Sequence, residues 1–181
     1  AGVSLPRPEY NKMMKDLIAA LKANGPRIKP KVRLLYTGGH ADNPEFFELL
    51  QQNDAHVVSD NTGFGTRAAD VLICEDGDPL EAIINYYFEE KPAATRQMGT
   101  QVERMERLLD LVKQYKADGV VASRLYMCDL WAFEHFLMRK RLHENNVPFL
   151  ELEVDYTPEG QGQIKTRVQA FVESLADRQT A

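Results

Sequence analysis

The sequence predicts an α/β fold: a three-layer, doubly wound sheet of about four parallel strands, of the flavodoxin or Rossmann type. Short, apolar, β-branched segments alternate four times with segments of helical spacing. Strands that are apolar on both faces are typical of parallel sheets covered by helices on both sides. Because crossovers between parallel strands are right-handed, the sheet is doubly wound, and we predict the strand order 2-1-3-4.

Four short apolar segments are predicted to be the strands, and each precedes a loop rich in Gly, Asp, Thr or Tyr. The strands cover residues 32–36, 56–60, 120–123 and 149–154. Ligands of such sheets bind beyond the carboxyl ends of the strands. The loops YTGGHADN, SDNTGFGTR, SRLYMCD and VDYTPEGQG therefore form the predicted functional edge.

Capping residues and apolar periodicity predict the helices between the strands. Asn43 and Asp78 each precede a proline, which is typical of an N-cap followed by the first helical position. Helices are predicted from these two caps and over residues 98–116, 129–145 and 160–176. One side of the third is predicted to be apolar and to carry Met98, Val102, Met105, Leu109, Val112 and Lys116. The MRKR run at 138–141 is interpreted as the solvated, cationic end of the fourth.

A further helix over residues 9–24 precedes the alternating pattern and ends at Gly25-Pro26. We therefore predict two parts of the chain. Residues 1–31 are a linker helix and connector, and residues 32–181 are the α/β domain that carries the candidate site.

Composition excludes several classes of function. The chain has 181 residues and a net charge of −5, which argues against a nucleic-acid surface, since phosphate contacts need a basic face. No apolar run approaches the roughly 18 residues that span a bilayer. Two cysteines give no disulfide framework. We expect a cytoplasmic protein with reduced thiols that binds neither nucleic acid nor membranes.

Cys128 is the candidate functional residue, because it lies at the predicted edge just before a helix. The helix dipole there favours a thiolate, which can ligate a metal or act as a nucleophile. A nucleophile needs a base within reach, and His40 could approach from a neighbouring loop. Position alone leaves three roles open for Cys128: a structural residue, a metal ligand or a nucleophile. Cys74 precedes an acidic turn, which disfavours a thiolate, so we interpret it as incidental.

Four segments together resemble the 2-hydroxyacyl-CoA dehydratase / benzoyl-CoA reductase family. They are VRLLYTGGHADNPEFFELLQQNDAHVVSDNTGFGTR, EDGDPLEAIINYYFEEKPAATR, DGVVASRLYMCDLWAFEHFLMRKRLHENNVPFLELEVDYTPEG and QGQIKTRVQAFVESL. The resemblance covers residues 32–176. Within the family, the chain resembles the C-terminal domain of a subunit like the D-component of 2-hydroxyglutaryl-CoA dehydratase. The Cys-Asp before the long helix and the GQIKTRVQAFVE ending are its most specific parts.

The resemblance implies a function for the full-length protein. It would be an iron–sulfur subunit that carries out low-potential, one-electron radical chemistry on an acyl-CoA thioester. The chemistry would be dehydration, a lyase reaction, or ring reduction. Cys128 matches a cysteine that ligates a [4Fe-4S] cluster, and thiolates suit such clusters. The implied partners are a homologous second subunit, in a heterodimer, and an ATP-dependent iron–sulfur activator. Anaerobic metabolism is the implied setting.

The sequence also departs from the family pattern. Asn61 to Gly65 stand where many members have a cysteine, and no other cluster ligands are visible. The family's N-terminal domain is absent, so we expect a fragment that binds no cluster and is inactive alone. The alternative is a non-catalytic paralogue or subunit that serves as a binding module for an acyl-CoA or a partner.

Overall fold

The computed structural model describes residues 4–25, 28–39, 43–52, 54–92, 94–95, 97, 99–155 and 161–180. The chain divides into two compact units, Ala1–Pro30 and Lys31–Ala181. The first unit contains helix α1 (Arg7–Asn24), which has no buried residue. Its apolar residues are exposed: Met13, Leu17, Ile18 and Leu21. Among the residues described for this unit, none covers the apolar side chains of the helix.

The second unit alternates strands with helices. The strands are β1 (Val32–Gly38), β2 (Ala55–Asn61), β3 (Gly119–Leu125) and β4 (Phe149–Val154). The helices are α2 (Pro44–Leu50), α3 (Pro79–Asn85), α4 (Gln101–Gln114), α5 (Asp129–Glu144) and α6 (Gln161–Thr180). A π-helical turn, Tyr86–Glu90, continues α3. Within the described ranges, no helix has the length and apolar character needed to cross a membrane.

The described strands form one parallel sheet in the order β2-β1-β3-β4, which confirms the predicted fold class and strand order. The pairing of β1 with β2 shifts between Leu34 and Leu35, so one residue of β2 is left out of register. The pairing of β1 with β3 is regular up to Gly38 opposite Ser123. All four carboxyl ends therefore meet at one edge of the sheet.

Two apolar clusters cover the two faces of the sheet, because side chains alternate along each strand. One cluster joins Leu34 and Tyr36 of β1 to α2 and α6. The other joins Leu35 of β1 and Val120 of β3 to α4 and α5. The result is a three-layer α/β arrangement, as predicted for strands that are buried on both sides.

The predicted helix caps are confirmed. The Asn43 side chain accepts a hydrogen bond from the backbone N–H of Glu45 at 2.9 Å. Asp78 accepts from the N–H of Leu80 at 2.7 Å and of Glu81 at 3.3 Å. These bonds satisfy backbone donors that a helix leaves free in its first turn.

The predicted apolar side of α4 was partly wrong. Val102 is 69% exposed, and Lys116 lies beyond the end of the helix. Met98 lies outside the described residues. The buried apolar side consists of Met105, Leu108, Leu109, Leu111 and Val112. Met105, Leu109 and Val112 were predicted correctly, and in the first turn the buried side chain is Arg104, which binds Glu134 of α5.

Candidate functional site

The carboxyl edge of the sheet is closely packed where β1 ends. Gly38 has φ of +144°, and a Cβ there would lie 2.3 Å from the backbone oxygen of Ser123 in β3. A Cβ on Gly39 would meet Trp131 Nε1 of α5 at 3.5 Å. Gly38 therefore serves a close approach between backbones, whereas a Cβ on Gly39 would make an ordinary contact with a side chain.

Cys128 lies at this edge, three residues after the end of β3, as the N-cap residue of α5. Its N–H donates to the backbone oxygen of Leu125 at 3.1 Å, and its own oxygen accepts from Ala132 at 3.0 Å. Met127, just before it, has φ of +62°. The thiol is free, half-buried and not used as a helix cap. The backbone thus fixes Cys128 at the rim and leaves its sulfur uncommitted.

Exposed apolar side chains flank Cys128 on both sides. In the turn before it, Tyr126 is 62% exposed and Met127 is 76% exposed. On α5 after it, Phe133 and Phe136 are exposed as well. Large apolar side chains that cluster at a surface are typical of a binding or interaction site. Along the chain, Cys128 therefore lies between exposed apolar residues.

The loop after β2 is organised by Asp60. Its carboxylate accepts hydrogen bonds from Thr62, through N–H and hydroxyl at 2.9 and 2.6 Å, and from the Thr66 hydroxyl at 3.0 Å. A Cβ on Gly65 would lie 1.9 Å from Asp60 Oδ1, so only glycine fits there. The loop is thus a compact turn built on a carboxylate. It carries Arg67 toward α4.

Two arginines of α4 form ion pairs behind this edge. Arg104 binds Glu134 of α5 through two hydrogen bonds, Nε to Oε1 at 2.7 Å and Nη2 to Oε2 at 2.8 Å. Arg107 pairs with Asp70. Neither pair was predicted from the sequence. The available signal was a pair of arginines at i and i+3, of which Arg104 lies next to the apolar side of an amphipathic helix.

The histidines and the remaining cysteine do not gather around Cys128 in the part of the chain that the structure describes. His135 is fully buried in α5, and burial lowers its pKa from the ordinary 6.5 despite the nearby Glu151. His40, the possible base, lies outside the described residues. Cys74 is exposed. Among the described residues, no three His, Cys, Asp or Glu side chains are placed to hold a metal ion.

Fold and geometry together define a class: a three-layer α/β domain that, in the part described, has the free thiol of Cys128 at the carboxyl edge of its sheet. The family model of the 2-hydroxyglutaryl-CoA dehydratase D-component matches residues 1–175, so the chain belongs to that family. This confirms the resemblance found in the sequence.

Curated relatives support the same membership. The chain is 24% identical over 173 residues to the (R)-phenyllactyl-CoA dehydratase beta subunit of Clostridium sporogenes, covering 93% of this chain and 45% of the relative. It is 22% identical over 178 residues to one of the subunits of benzoyl-CoA reductase from Thauera aromatica, covering 97% and 46%.

A third relative is the beta subunit of (R)-2-hydroxyglutaryl-CoA dehydratase of Acidaminococcus fermentans. The chain is 23% identical to it over 177 residues, covering 93% of this chain and 45% of the relative. The chain thus spans slightly less than half the length of these curated relatives. Their activities, substrates and partners belong to proteins about twice as long as the matched region.

Proposed function

We propose that this chain is one domain of an iron–sulfur subunit of a 2-hydroxyacyl-CoA dehydratase or benzoyl-CoA reductase. In this proposal Cys128 supplies one thiolate ligand of a [4Fe-4S] cluster. The observation that carries it is the position of Cys128, a free, half-buried thiol fixed at the carboxyl edge of the sheet in a member of this family. Such edges are where ligands of doubly wound sheets bind.

One thiol can supply only part of the ligand set of an iron–sulfur cluster. A four-iron cluster is held by several cysteine thiolates, and the described residues bring no second thiol to Cys128. We therefore place the other ligands in protein outside this chain. Its short coverage of the curated relatives supports that placement. The residues 1–31, with α1, would connect the α/β domain to that further part.

When bound, the cluster would supply low-potential, one-electron chemistry to the thioester of an acyl-CoA. The role of this chain's own residues is to hold one ligand and to keep water away. The backbone hydrogen bonds that Cys128 donates to Leu125 and accepts from Ala132 fix its position. Tyr126, Met127 and Phe133 offer apolar surface that a second subunit would bury, which would dry the site.

The partners in this proposal are a homologous second subunit and an ATP-dependent activator, and the protein would act in the cytoplasm. The curated relatives named as beta subunits support a partner subunit, and their printed names support an acyl-CoA substrate. The apolar side chains around Cys128 are consistent with such an interface.

The test compares two cysteine variants of the protein, prepared without oxygen together with its partner subunit. Cys128→Ser is expected to abolish the visible absorption of an iron–sulfur cluster and to lower the iron and acid-labile sulfide content. Cys74→Ser is the matched control, because that thiol is exposed and distant in sequence from the edge, and it is expected to leave the cluster intact.

An intact cluster in Cys128→Ser would remove Cys128 from the ligand set. A wild-type complex that assembles but contains no iron would favour the second function instead, a non-catalytic subunit that binds a partner or an acyl-CoA. The exposed apolar side chains at the edge are the observation that supports this second function.

A further inference from the structure

A small pocket lies behind the carboxyl edge, on the side of α4 and α5, and it takes no part in the cluster proposal. Met105, Trp131 and Met138 line it together with polar side chains. We name it the arginine pocket and define it by Thr37, Asn61, Arg67, Arg104, Arg107 and Glu134. These residues come from the ends of β1 and β2, the loop after β2, and the two helices. The pocket therefore exists only in the folded domain.

The hydrogen-bonding capacity of its guanidinium groups is not used up. Arg104 is fully engaged, because Glu134 takes Nε and Nη2 and three oxygens surround Nη1. Arg107 uses only Nη1, in its pair with Asp70. Its buried Nε and Nη2 have no hydrogen-bond partner among the described residues.

Arg67 adds a third guanidinium to the same pocket. It makes no hydrogen bond or ion pair with any residue that the structure describes, although it is half-buried. Burial and the charges of Arg107 and Arg104 lower its pKa, while Glu134 and Asp60 oppose that shift. The Asp60 carboxylate accepts from Thr62 and Thr66 and makes no hydrogen bond to Arg67. The pocket thus holds more donors than acceptors.

Two polar side chains that are more than nine-tenths buried point to the same conclusion. Thr37 is 0% exposed and Asn61 is 8% exposed, and Thr37 Oγ1 and Asn61 Oδ1 have no partner within the described ranges. Buried polar atoms in native proteins nearly always have a partner, so such atoms mark a place for a bound group. The Thr37 hydroxyl can donate to that group, and rotation of the Asn61 amide presents its NH₂.

We propose that the arginine pocket binds a small carboxylate, held in a fork by Arg107 Nε and Nη2 and closed in by Arg67. The fork of a guanidinium matches the two oxygens of a carboxylate. The space as it stands is about 10 Å³, room for one water-sized group, so a carboxylate enters only when the half-buried Arg67 side chain moves outward, and a phosphate would need a larger displacement. That movement breaks no hydrogen bond to any residue that the structure describes.

This proposal is independent of the iron–sulfur assignment. The probe is sodium formate, titrated against the purified protein at constant ionic strength with chloride as the balancing anion. Formate has three heavy atoms, and limits on ligand efficiency set the expected Kd on the order of 1 mM. We expect a saturable rise of Tm with formate and a change in the Arg107 Nε–H signal in proton–nitrogen spectra.

Arg67→Gln is the test variant, because it removes no described hydrogen bond and is expected to fold. We expect it to weaken formate binding about tenfold or more. Arg178→Gln, an exposed arginine of α6, is the matched control and is expected to bind formate like the wild type. The proposal is overturned if chloride gives the same response as formate, if no signal saturates, or if Arg67→Gln binds formate unchanged.

Discussion

The ion pair between Arg104 and Glu134 gives the sharpest stability prediction for this fold. Both side chains are almost completely buried, with 10% and 5% of their surface exposed. We consider Glu134→Gln, which keeps the volume of the side chain and removes its charge. Arg104 cannot leave, because its Nη1 still donates to the Thr100 hydroxyl at 2.7 Å and to two backbone oxygens. The variant therefore leaves a buried guanidinium without its counter-charge.

The magnitude follows from the two hydrogen bonds of the pair, at 2.7 and 2.8 Å. Charge-assisted bonds contribute about 1.5–3 kcal/mol each, and glutamine retains one acceptor oxygen. We expect a loss of about 3 kcal/mol in the free energy of unfolding, at the lower end of the roughly 3–5 kcal/mol typical of broken buried ion pairs. For a chain of this size, that corresponds to a fall in Tm of about 6–12 °C.

The assay is urea unfolding, with the free energy of unfolding taken by linear extrapolation. Asp110→Asn is the matched control on the same helix, because Asp110 and Lys113 are both 75% exposed and lie 3.8 Å apart. We expect the control to change the free energy of unfolding by less than about 0.5 kcal/mol. A loss below about 1 kcal/mol for Glu134→Gln, or one equal to the control, would refute the reasoning.

Three further predictions concern the strands and α5. Gly38→Ala is expected to lower the free energy of unfolding by about 3 kcal/mol or more, because φ is positive and the new Cβ would lie 2.3 Å from the Ser123 oxygen. Gly77→Ala is the control, since φ is +88° there but the space is open, so only the backbone strain is expected. Thermal unfolding compares the two variants. Tyr36→Phe removes the 2.5 Å hydrogen bond to the Ser123 hydroxyl, and we expect denaturant unfolding to show a loss of about 1–2 kcal/mol. Burial lowers the pKa of His135, so the unfolded chain takes up the proton first, and the free energy of unfolding falls as pH drops below 6.5 toward the lowered value. His135→Gln should flatten this pH dependence in unfolding measured between about pH 7 and 5. An unchanged pH dependence in the variant would contradict the prediction.

Local chemistry made much of the fold predictable. The caps at Asn43 and Asp78 were predictable from the sequence, because a capping side chain accepts hydrogen bonds from N–H groups two or three residues away. The apolar strands were readable because both of their faces are covered. The predicted strand order is confirmed, although the handedness of crossovers by itself does not select one order. Each of these features depends on neighbours in sequence or on a general rule for parallel sheets.

Predictions that required knowledge of packing were less accurate. The charged run at 138–141 predicts a solvated helix end, yet Met138 is 2% exposed and belongs to the core with α4. Val102 is predicted on the buried side of α4 and is exposed. Both depend on which side of a helix packs against the rest of the domain, and that side is set by the tertiary structure.

The sequence by itself determined the parallel α/β architecture, the family, and the position of Cys128 before α5, because spacing, caps and strand composition act over a few residues. Only the tertiary structure brought Thr37, Asn61 and Arg67 against Arg104 and Arg107. These residues lie up to 70 positions apart and share no local pattern. Their meeting depends on the crossover connections that return each strand to the same edge, so the arginine pocket is a property of packing.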